Sequence, residues 1–128
     1  MNGRELQKCA ARRARELPAS TLEFPFGPDY DVYKVRGKMF MLHVEVAGER
    51  QVVLKALPSD SMALREAHED ITTGYHMNKR HWISLHPGGT LTPGMVEELV
   101  TESYRLVVAG LPKAQQPVEP HQFGRGQR

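Results

Sequence analysis

The spacing of apolar residues along the chain predicts three helices. In the first, Asn2 to Leu17, apolar side chains return every three or four positions and form one stripe, which is typical of a helix lying on a core. The last helix runs from Pro93 to Gly110 and follows the N-cap residue Thr92, an arrangement that favours a sharp start and stop. Between them, a short acidic helix is predicted after Pro58. Its apolar residues are Met62, Leu64, Ala67 and, at its limit, Ile71.

Between Leu22 and Ala56 the spacing changes to alternation, and turn-forming residues interrupt it three times. This pattern predicts four strands in an antiparallel meander. In the longest of them, Met39 to Val46, one face is expected to be buried and the other to be partly open. The buried set is Phe40, Leu42, Val44 and Val46. The open set is Met39, Met41, His43 and Glu45.

The stretch from Tyr75 to His86 is polar and basic at first and then alternates, which predicts a fifth strand that ends before Pro87 and two glycines. The predicted order is α-β-β-β-β-α-β-α. Because neighbouring strands joined by short turns pair in antiparallel fashion, we predict an α+β two-layer sandwich, an antiparallel sheet with helices on one face. Residues 1–112 form this single domain. Residues 113–128 are polar and rich in Pro and Gly, and we expect them to be a mobile tail that does not pack.

The composition is that of an ordinary globular protein, with 40% hydrophobic and 25% charged residues among 128. No apolar run approaches the roughly 20 residues that cross a bilayer, and no secretory leader is recognisable, so a cytoplasmic protein without membrane association is predicted. Cys9 is the single cysteine, which excludes an intramolecular disulfide and a multi-cysteine metal site.

The net charge of +2 lies wholly in the C-terminal segment, because residues 1–110 carry 14 Lys or Arg and 14 Asp or Glu. Within the domain the charges are nevertheless segregated. Residues 1–16, 31–57 and 71–91 have a basic excess, and the stretches between them have an acidic one. A neutral domain can therefore still present a basic face to an acidic partner.

Common catalytic and metal-binding patterns are not recognisable. A glycine-rich phosphate loop and a nucleophile motif of the Gly-x-Ser-x-Gly type are both missing. His76, His81 and His86 lie five residues apart, a spacing that does not align them on one face of a helix or strand. Cys9 lies on the apolar stripe of the first helix, as a buried hydrophobe would. We therefore predict no enzymatic activity, no cofactor and no metal.

The most unusual stretch is His76 to Trp82, which joins two cations, two histidines, an asparagine and the single tryptophan. Such a stretch can bind phosphate and stack on bases. It can equally be an irregular segment whose aromatic residues Tyr75 and Trp82 anchor it to the core while Lys79 and Arg80 are solvated. The residues themselves leave both interpretations open.

Several blocks resemble the YjbR/MmcQ family of small bacterial proteins over about residues 3–112. They are Tyr33-Lys34-Val35, Gly37-Lys38-Met39-Phe40, Val53-Leu54-Lys55, Leu64-Arg65-Glu66, Ser103-Tyr104, Leu111-Pro112 and, most specifically, Gly74-Tyr75-His76-Met77-Asn78-Lys79-Arg80-His81-Trp82. The resemblance implies a CyaY-like fold related to the type III secretion chaperones. It also implies DNA binding through a "double wing" of strands and turns.

Carried to this chain, the wings are the turns at Arg36-Gly37-Lys38 and Ala47-Gly48-Glu49-Arg50. The implied phosphate contacts are Lys34, Arg36, Lys38, Arg50 and Lys55. The companion surface consists of His76, Asn78, Lys79, Arg80, His81 and Trp82. Because no helix is rich in the Arg, Asn or Gln that would read bases, contacts to the phosphate backbone are expected.

Two functions thus follow from the sequence for a chain that we expect to be monomeric. The first is a non-enzymatic DNA-binding module. The alternative is a protein-interaction or chaperone-like module that uses the open face of Met39 to Val46, since methionine-rich surfaces adapt to varied partners. Iron binding of the frataxin type is disfavoured because the first helix is cationic, with Arg4, Lys8 and Arg12 along one side.

Overall fold

The structure, a computed structural model, describes residues 1–124. Within that range it contains three α-helices, six strands and a final 3-10 turn. The helices are α1 (Gly3–Glu16), α2 (Pro58–Ala67) and α3 (Pro93–Ala109), and the 3-10 turn is Lys113–Gln115. The strands are β1 (Ser20–Glu23), β2 (Asp31–Val35), β3 (Lys38–Val46), β4 (Glu49–Lys55), β5 (Ile71–Thr73) and β6 (Trp82–Leu85). The α+β class predicted from the sequence is confirmed.

The helix ends follow from their capping residues. At the start of α1 the Asn2 side chain accepts a hydrogen bond from the Glu5 N–H (2.8 Å), and the Glu5 side chain accepts one from the Asn2 N–H (2.9 Å). This reciprocal pair satisfies two donors that no helical carbonyl reaches. At the start of α3 the Thr92 hydroxyl accepts from the Met95 N–H (3.2 Å), with Pro93 in the first turn.

The strands form one antiparallel sheet in the order β1-β2-β3-β4-β6-β5. Two tight turns, at Arg36-Gly37 and Ala47-Gly48, join β2 to β3 and β3 to β4. In both turns the two central residues have positive φ, as the hairpin turn that matches strand twist requires. Because successive hairpins reverse the chain, the two turns lie at opposite ends of β3, about 26 Å apart at roughly 3.3 Å per residue.

These ends are named here by one residue each. The Lys55 end comprises the turn at Arg36-Gly37, the last residue of β4 and the segment 74–81 that precedes β6. The Arg50 end comprises the turn at Ala47-Gly48, the first residues of β4 and the start of α1, where Gly3 lies against Arg50.

Both faces of the sheet bury apolar residues. One face is covered by α1 and α3, and its core includes Leu6, Phe40, Leu54, Ile83 and Tyr104. The opposite face buries a smaller cluster under segment 74–82. That cluster is Val32, Leu42, Val44 and Val53, with Met39, Val46, Tyr75, Met77 and Trp82 packed against it.

The predicted faces of β3 are wrong in two respects, because a β-bulge interrupts the alternation at Phe40 and because both faces of the strand are buried. Tyr33 pairs with Met41 and the next residue, Lys34, pairs with Met39, so Phe40 is an extra residue on the helix-covered side. Met41 and His43 lie on the side that α1 and α3 cover and are 0% and 4% exposed, whereas Leu42 and Val44 are buried on the opposite face. The open methionine face expected for a protein partner does not exist at these two positions.

The hydroxyl of Ser103 on α3 completes the sheet at this bulge. It donates to the Phe40 carbonyl (2.6 Å) and accepts from the Lys55 N–H (2.8 Å). Ser103 is fully buried, so its hydroxyl satisfies two backbone groups that the irregular strand would otherwise leave unpaired. The Tyr104 ring packs edge-on against Phe40 (5.4 Å between centroids), and its hydroxyl donates to the Pro18 carbonyl (2.6 Å).

The predicted order lacked one strand. Ile71 was assigned to the limit of the second helix, but α2 ends at Ala67 and Ile71 begins β5 at the sheet edge, opposite Leu85. The β-branched run of Ile71 and two threonines favours this extended conformation.

The C-terminal segment returns to the domain as far as it is described. Pro120 is buried, Val118 and Phe123 pack against the helix-covered core, and the Phe123 ring lies 5.6 Å from that of Tyr104. These contacts differ from the expectation that the segment would not pack. Its predicted mobility stays a prediction, and residues 125–128 lie outside the described range.

Candidate nucleic-acid interface

Segment 74–82 is closed at its base by its first and last residues. The Gly74 N–H donates to the Trp82 carbonyl (2.8 Å), and the Tyr75 N–H donates to the Ser84 hydroxyl (2.9 Å). A Cβ at position 74 would lie 2.6 Å from the Trp82 Cβ, which no real contact tolerates. Glycine is therefore needed where the segment leaves and rejoins the sheet.

Asn78 organises the tip of the segment. Its side-chain oxygen accepts from the Arg80 N–H (2.9 Å), and its carbonyl accepts from the N–H groups of His81 (3.2 Å) and Trp82 (3.0 Å). This turn, in which an asparagine side chain mimics the backbone, fixes the chain direction at its two cations. Asn78 thus positions the site, and Lys79 and Arg80 are held exposed to solvent.

The aromatic residues of the segment face the sheet. Tyr75, Met77 and Trp82 are half-buried against the cluster around Val44 and Val53. His76 remains exposed, with its ring edge-on to Tyr75 (4.1 Å) and a backbone φ of 55°. The sequence left two interpretations of this segment open. The packing shows one of them, in which Tyr75 and Trp82 anchor the segment to the sheet.

Four cations lie on elements that meet at the Lys55 end, and none of them forms an ion pair within residues 1–124. Lys38, Lys79 and Arg80 are exposed and Lys55 is half-buried. In residues 1–124 none of these four lies within 4 Å of a carboxylate. Lys55 is paired with Trp82 across the sheet, and the adjacent Ala56 N–H donates to the His81 carbonyl (2.9 Å), so β4 ends beside the cationic segment. Lys38 begins β3, the strand next to β4.

Two other predicted phosphate contacts, Lys34 and Arg36, lie at this end, but each already has a partner within the protein. Lys34 forms an ion pair with Glu23 (3.2 Å), and this hydrogen bond lowers the pKa of the Glu23 carboxyl. The Arg36 side chain donates to the Gln115 carbonyl (3.2 Å). That contact brings the exposed Lys113 of the 3-10 turn towards the same end. The sequence assigned Lys113 to the tail, and no pattern in it indicated this return.

Arg50 does not join the others. It lies at the Arg50 end, one full length of β3 away, beside Gly3 and 3.7 Å from Glu45. The two turns that the resemblance implies as a pair of wings therefore lie at opposite ends of β3.

The structure offers no assembled metal site in the part it describes. No group of three or more His, Cys, Asp or Glu side chains in residues 1–124 is placed to hold a metal ion. Cys9 is buried, and this burial raises the pKa of its thiol, as expected for a packed side chain rather than a nucleophile. Among the same residues, no helix has the length and apolarity to span a membrane.

The fold defines a small α+β domain with four unpaired cations at its Lys55 end among the described residues, and comparisons with known proteins agree on its family. The YjbR family model matches residues 15–106, and the chain belongs to the YjbR family. It is 42% identical to the uncharacterized protein YbdF of Escherichia coli O157:H7 over 116 residues, which are 91% of this chain and 95% of that protein. It is 34% identical to the uncharacterized protein YjbR of Escherichia coli K12 over 80 residues, 62% of this chain and 68% of that one.

Solved structures show the same architecture. The crystal structure of Deinococcus radiodurans protein DR2400, with its DUF419 domain, superposes with a TM-score of 0.79 at 31% identity and covers 91% of both chains. A crystal structure of a Pseudomonas syringae protein has a TM-score of 0.68 at 24% identity, covering 83% of this chain and 98% of that one. The second likeness bears on the fold alone.

Proposed function

We propose that this YjbR-family protein binds the phosphate backbone of nucleic acid at its Lys55 end. The observation that carries the proposal is the grouping of Lys38, Lys55, Lys79 and Arg80 at one end of a neutral domain, with none of them neutralised by a carboxylate in residues 1–124. Cations that lack an intramolecular partner are the ones that can release condensed counterions from a polyanion.

Contact with phosphates, rather than with bases, follows from the side chains available. The two aromatic residues that could stack on bases, Tyr75 and Trp82, are half-buried on the sheet. Lys79 and Arg80 project from a short turn, which reaches a backbone more readily than a groove floor. The expected binding is therefore weak, strongly dependent on salt and tolerant of sequence.

The test is fluorescence anisotropy of a labelled 20-base-pair duplex at several salt concentrations. The Lys79→Ala/Arg80→Ala variant removes both charges. It should weaken binding and reduce the slope of the logarithm of the binding constant against the logarithm of the salt concentration by nearly 2, at about 0.9 per lost phosphate contact. Circular dichroism should show an unchanged fold, because both side chains are exposed.

The matched control is the Arg4→Ala/Arg50→Ala variant. It removes the same number of charges from exposed residues at the Arg50 end. The proposal requires this control to keep the slope of the unaltered protein to within a few tenths. Equal losses in the two variants would show that only net charge matters, and no binding of the duplex at low salt would refute the proposal.

A further inference from the structure

The exposed apolar side chains are concentrated at one edge of the sheet. Of the six large hydrophobic residues that are well exposed in residues 1–124, four fall between positions 22 and 30. They are Leu22 (41%), Phe24 (53%), Phe26 (66%) and Tyr30 (37%). Single exposed apolar residues are common, but such a run on a small domain is typical of a contact surface. Residues 22–30 are called the aromatic edge below.

The aromatic edge is ordered by its own hydrogen bonds. The Gly27 N–H donates to the Phe24 carbonyl (3.2 Å), and the Tyr30 N–H donates to the Gly27 carbonyl (3.5 Å). The rings of Phe26 and Tyr30 meet edge to face at 6.3 Å. Binding at this surface would therefore cost little ordering entropy, since the aromatic side chains are already held in the loop.

The strand beside these rings has a free side. β1 is the outermost strand and pairs only with β2 among the described strands. On such a strand alternate residues direct N–H and C=O groups away from the sheet, where an added strand can bind them. Pro18 and Pro25 flank β1, so the open edge is only four residues long. It suits a short extended segment better than a long sheet-to-sheet contact.

The charges around this edge are acidic. Asp29 and Asp31 have no cation within 4 Å in the described part of the chain. The neighbouring cation Arg15 approaches the Tyr33 hydroxyl from α1, and Tyr33 pairs with Leu22 across the sheet. Two acids against one cation favour a basic partner.

We propose that the aromatic edge binds an extended segment of a partner protein in which apolar and basic residues alternate. The segment adds as a strand beside β1, its apolar side chains contact Phe24 and Phe26, and its basic side chains lie near Asp29 and Asp31. This surface is separate from the Lys55 end, so the proposal does not depend on nucleic-acid binding.

The probe is a fluorescein-labelled seven-residue peptide of alternating valine and lysine, with a valine and glutamate peptide of equal length for comparison. Anisotropy should show binding of the lysine peptide and at least tenfold weaker binding of the glutamate peptide. The Phe24→Ser/Phe26→Ser variant should weaken binding of the lysine peptide at least fivefold. The Leu57→Ser/Met62→Ser variant, which alters the other two exposed apolar residues, should not change it.

Amide chemical shifts locate the bound peptide, and light scattering measures the mass of the free protein. Shifts confined to residues 20–31 support the proposal. Absent binding, equal affinity for both peptides, or shifts centred on α2 or segment 74–81 overturn it. A dimer that the Phe24→Ser/Phe26→Ser variant abolishes also overturns it, because the edge would then belong to a second copy.

Discussion

The two faces of the sheet bury their residues in different ways. The face under α1 and α3 is closed by two helices that also pack on each other. Among residues 1–124 the opposite face is closed by segment 74–82, whose apolar side chains cover Val44 and Val53 while its polar side carries Lys79 and Arg80. The first face mainly sustains the fold. In the second, the same nine residues cover apolar surface and present the proposed binding groups, so its packing and its function are coupled.

The largest expected effect on stability is that of pH, and it acts on the helix-covered face through His43. This histidine is buried on the helix-covered face, its Nε2 has no hydrogen-bond partner among the described residues, and burial lowers its pKa from 6.5 to about 3. Between these two pKa values the unfolded chain therefore binds a proton at His43 that the folded chain does not bind. Stability is full above pH 6.5 and is lost as pH falls from there towards 3, by about 1.4 kcal/mol per pH unit and up to about 5 kcal/mol.

Urea denaturation between pH 7 and pH 4.5, above the range where most carboxyls titrate, measures this slope. The His43→Leu variant should remove most of it and leave the fold intact at pH 7. A slope of similar steepness in that variant would place the acid sensitivity elsewhere in the molecule.

Val52 and Val53 compare the two faces directly. They are neighbours on β4, both are 0% exposed, and they point to opposite faces. We expect Val52→Ala to cost about 2.5 kcal/mol of unfolding free energy, because two packed helices cannot settle into the cavity. Val53→Ala should cost about 1.5 kcal/mol, since segment 74–82 can move inward. Chemical denaturation of both variants measures the difference, and a larger cost at Val53 would reverse the comparison.

The Gly74→Ala substitution disturbs only the face that segment 74–82 covers. Its Cβ would meet the Trp82 Cβ at 2.6 Å, so segment 74–82 must move away from the sheet. We expect a loss of about 2 kcal/mol, as for other overpacked sites. The single tryptophan, Trp82, reports the movement through a red shift of its fluorescence. Unchanged emission and stability would mean that the base of the segment is not a tight contact.

The smallest expected effect concerns Asn78. Asn78→Ala removes the side-chain oxygen that accepts from the Arg80 N–H and should cost about 1 kcal/mol. Duplex affinity should fall two- to threefold, because Lys79 and Arg80 lose their fixed direction. Asn2→Ala, which removes the cap of α1, is the control. It should lower stability by a similar amount and leave duplex affinity unchanged.

The elements that were predicted correctly from the sequence are those whose ends carry capping or turn-forming residues. Thr92, Pro93 and Gly110 delimit α3 as they stand in the sequence, and the turns around Gly37 and Gly48 were placed correctly. The faces of β3 were not predictable, because the bulge at Phe40 is completed by Ser103, 63 residues away, and because α1 and α3 cover the side that was expected to be open. Strand β5 was missed because three residues are too short a run for alternation to be recognised.

The candidate site was predicted in part for a similar reason. Lys79 and Arg80 were recognised from local composition, and local hydrogen bonds hold them where they are. Arg50 was grouped with them through the pair of wings that the family resemblance implies, although successive hairpins already require the two turns to lie at opposite ends. The ion pair of Lys34 with Glu23 and the return of Lys113 beside Arg36 depend on tertiary contacts that local sequence does not encode.

The two hydrogen bonds of the Ser103 hydroxyl determine which part of the central sheet can form last during folding. The hairpin of β3 and β4 can form early, because its turn and its register are local. Its last rung, between Phe40 and Lys55, is supplied from α3 and cannot exist before that helix docks. We therefore expect this end of the hairpin, where β4 passes into the cationic site, to be the last part of the central sheet to become protected from hydrogen exchange during refolding.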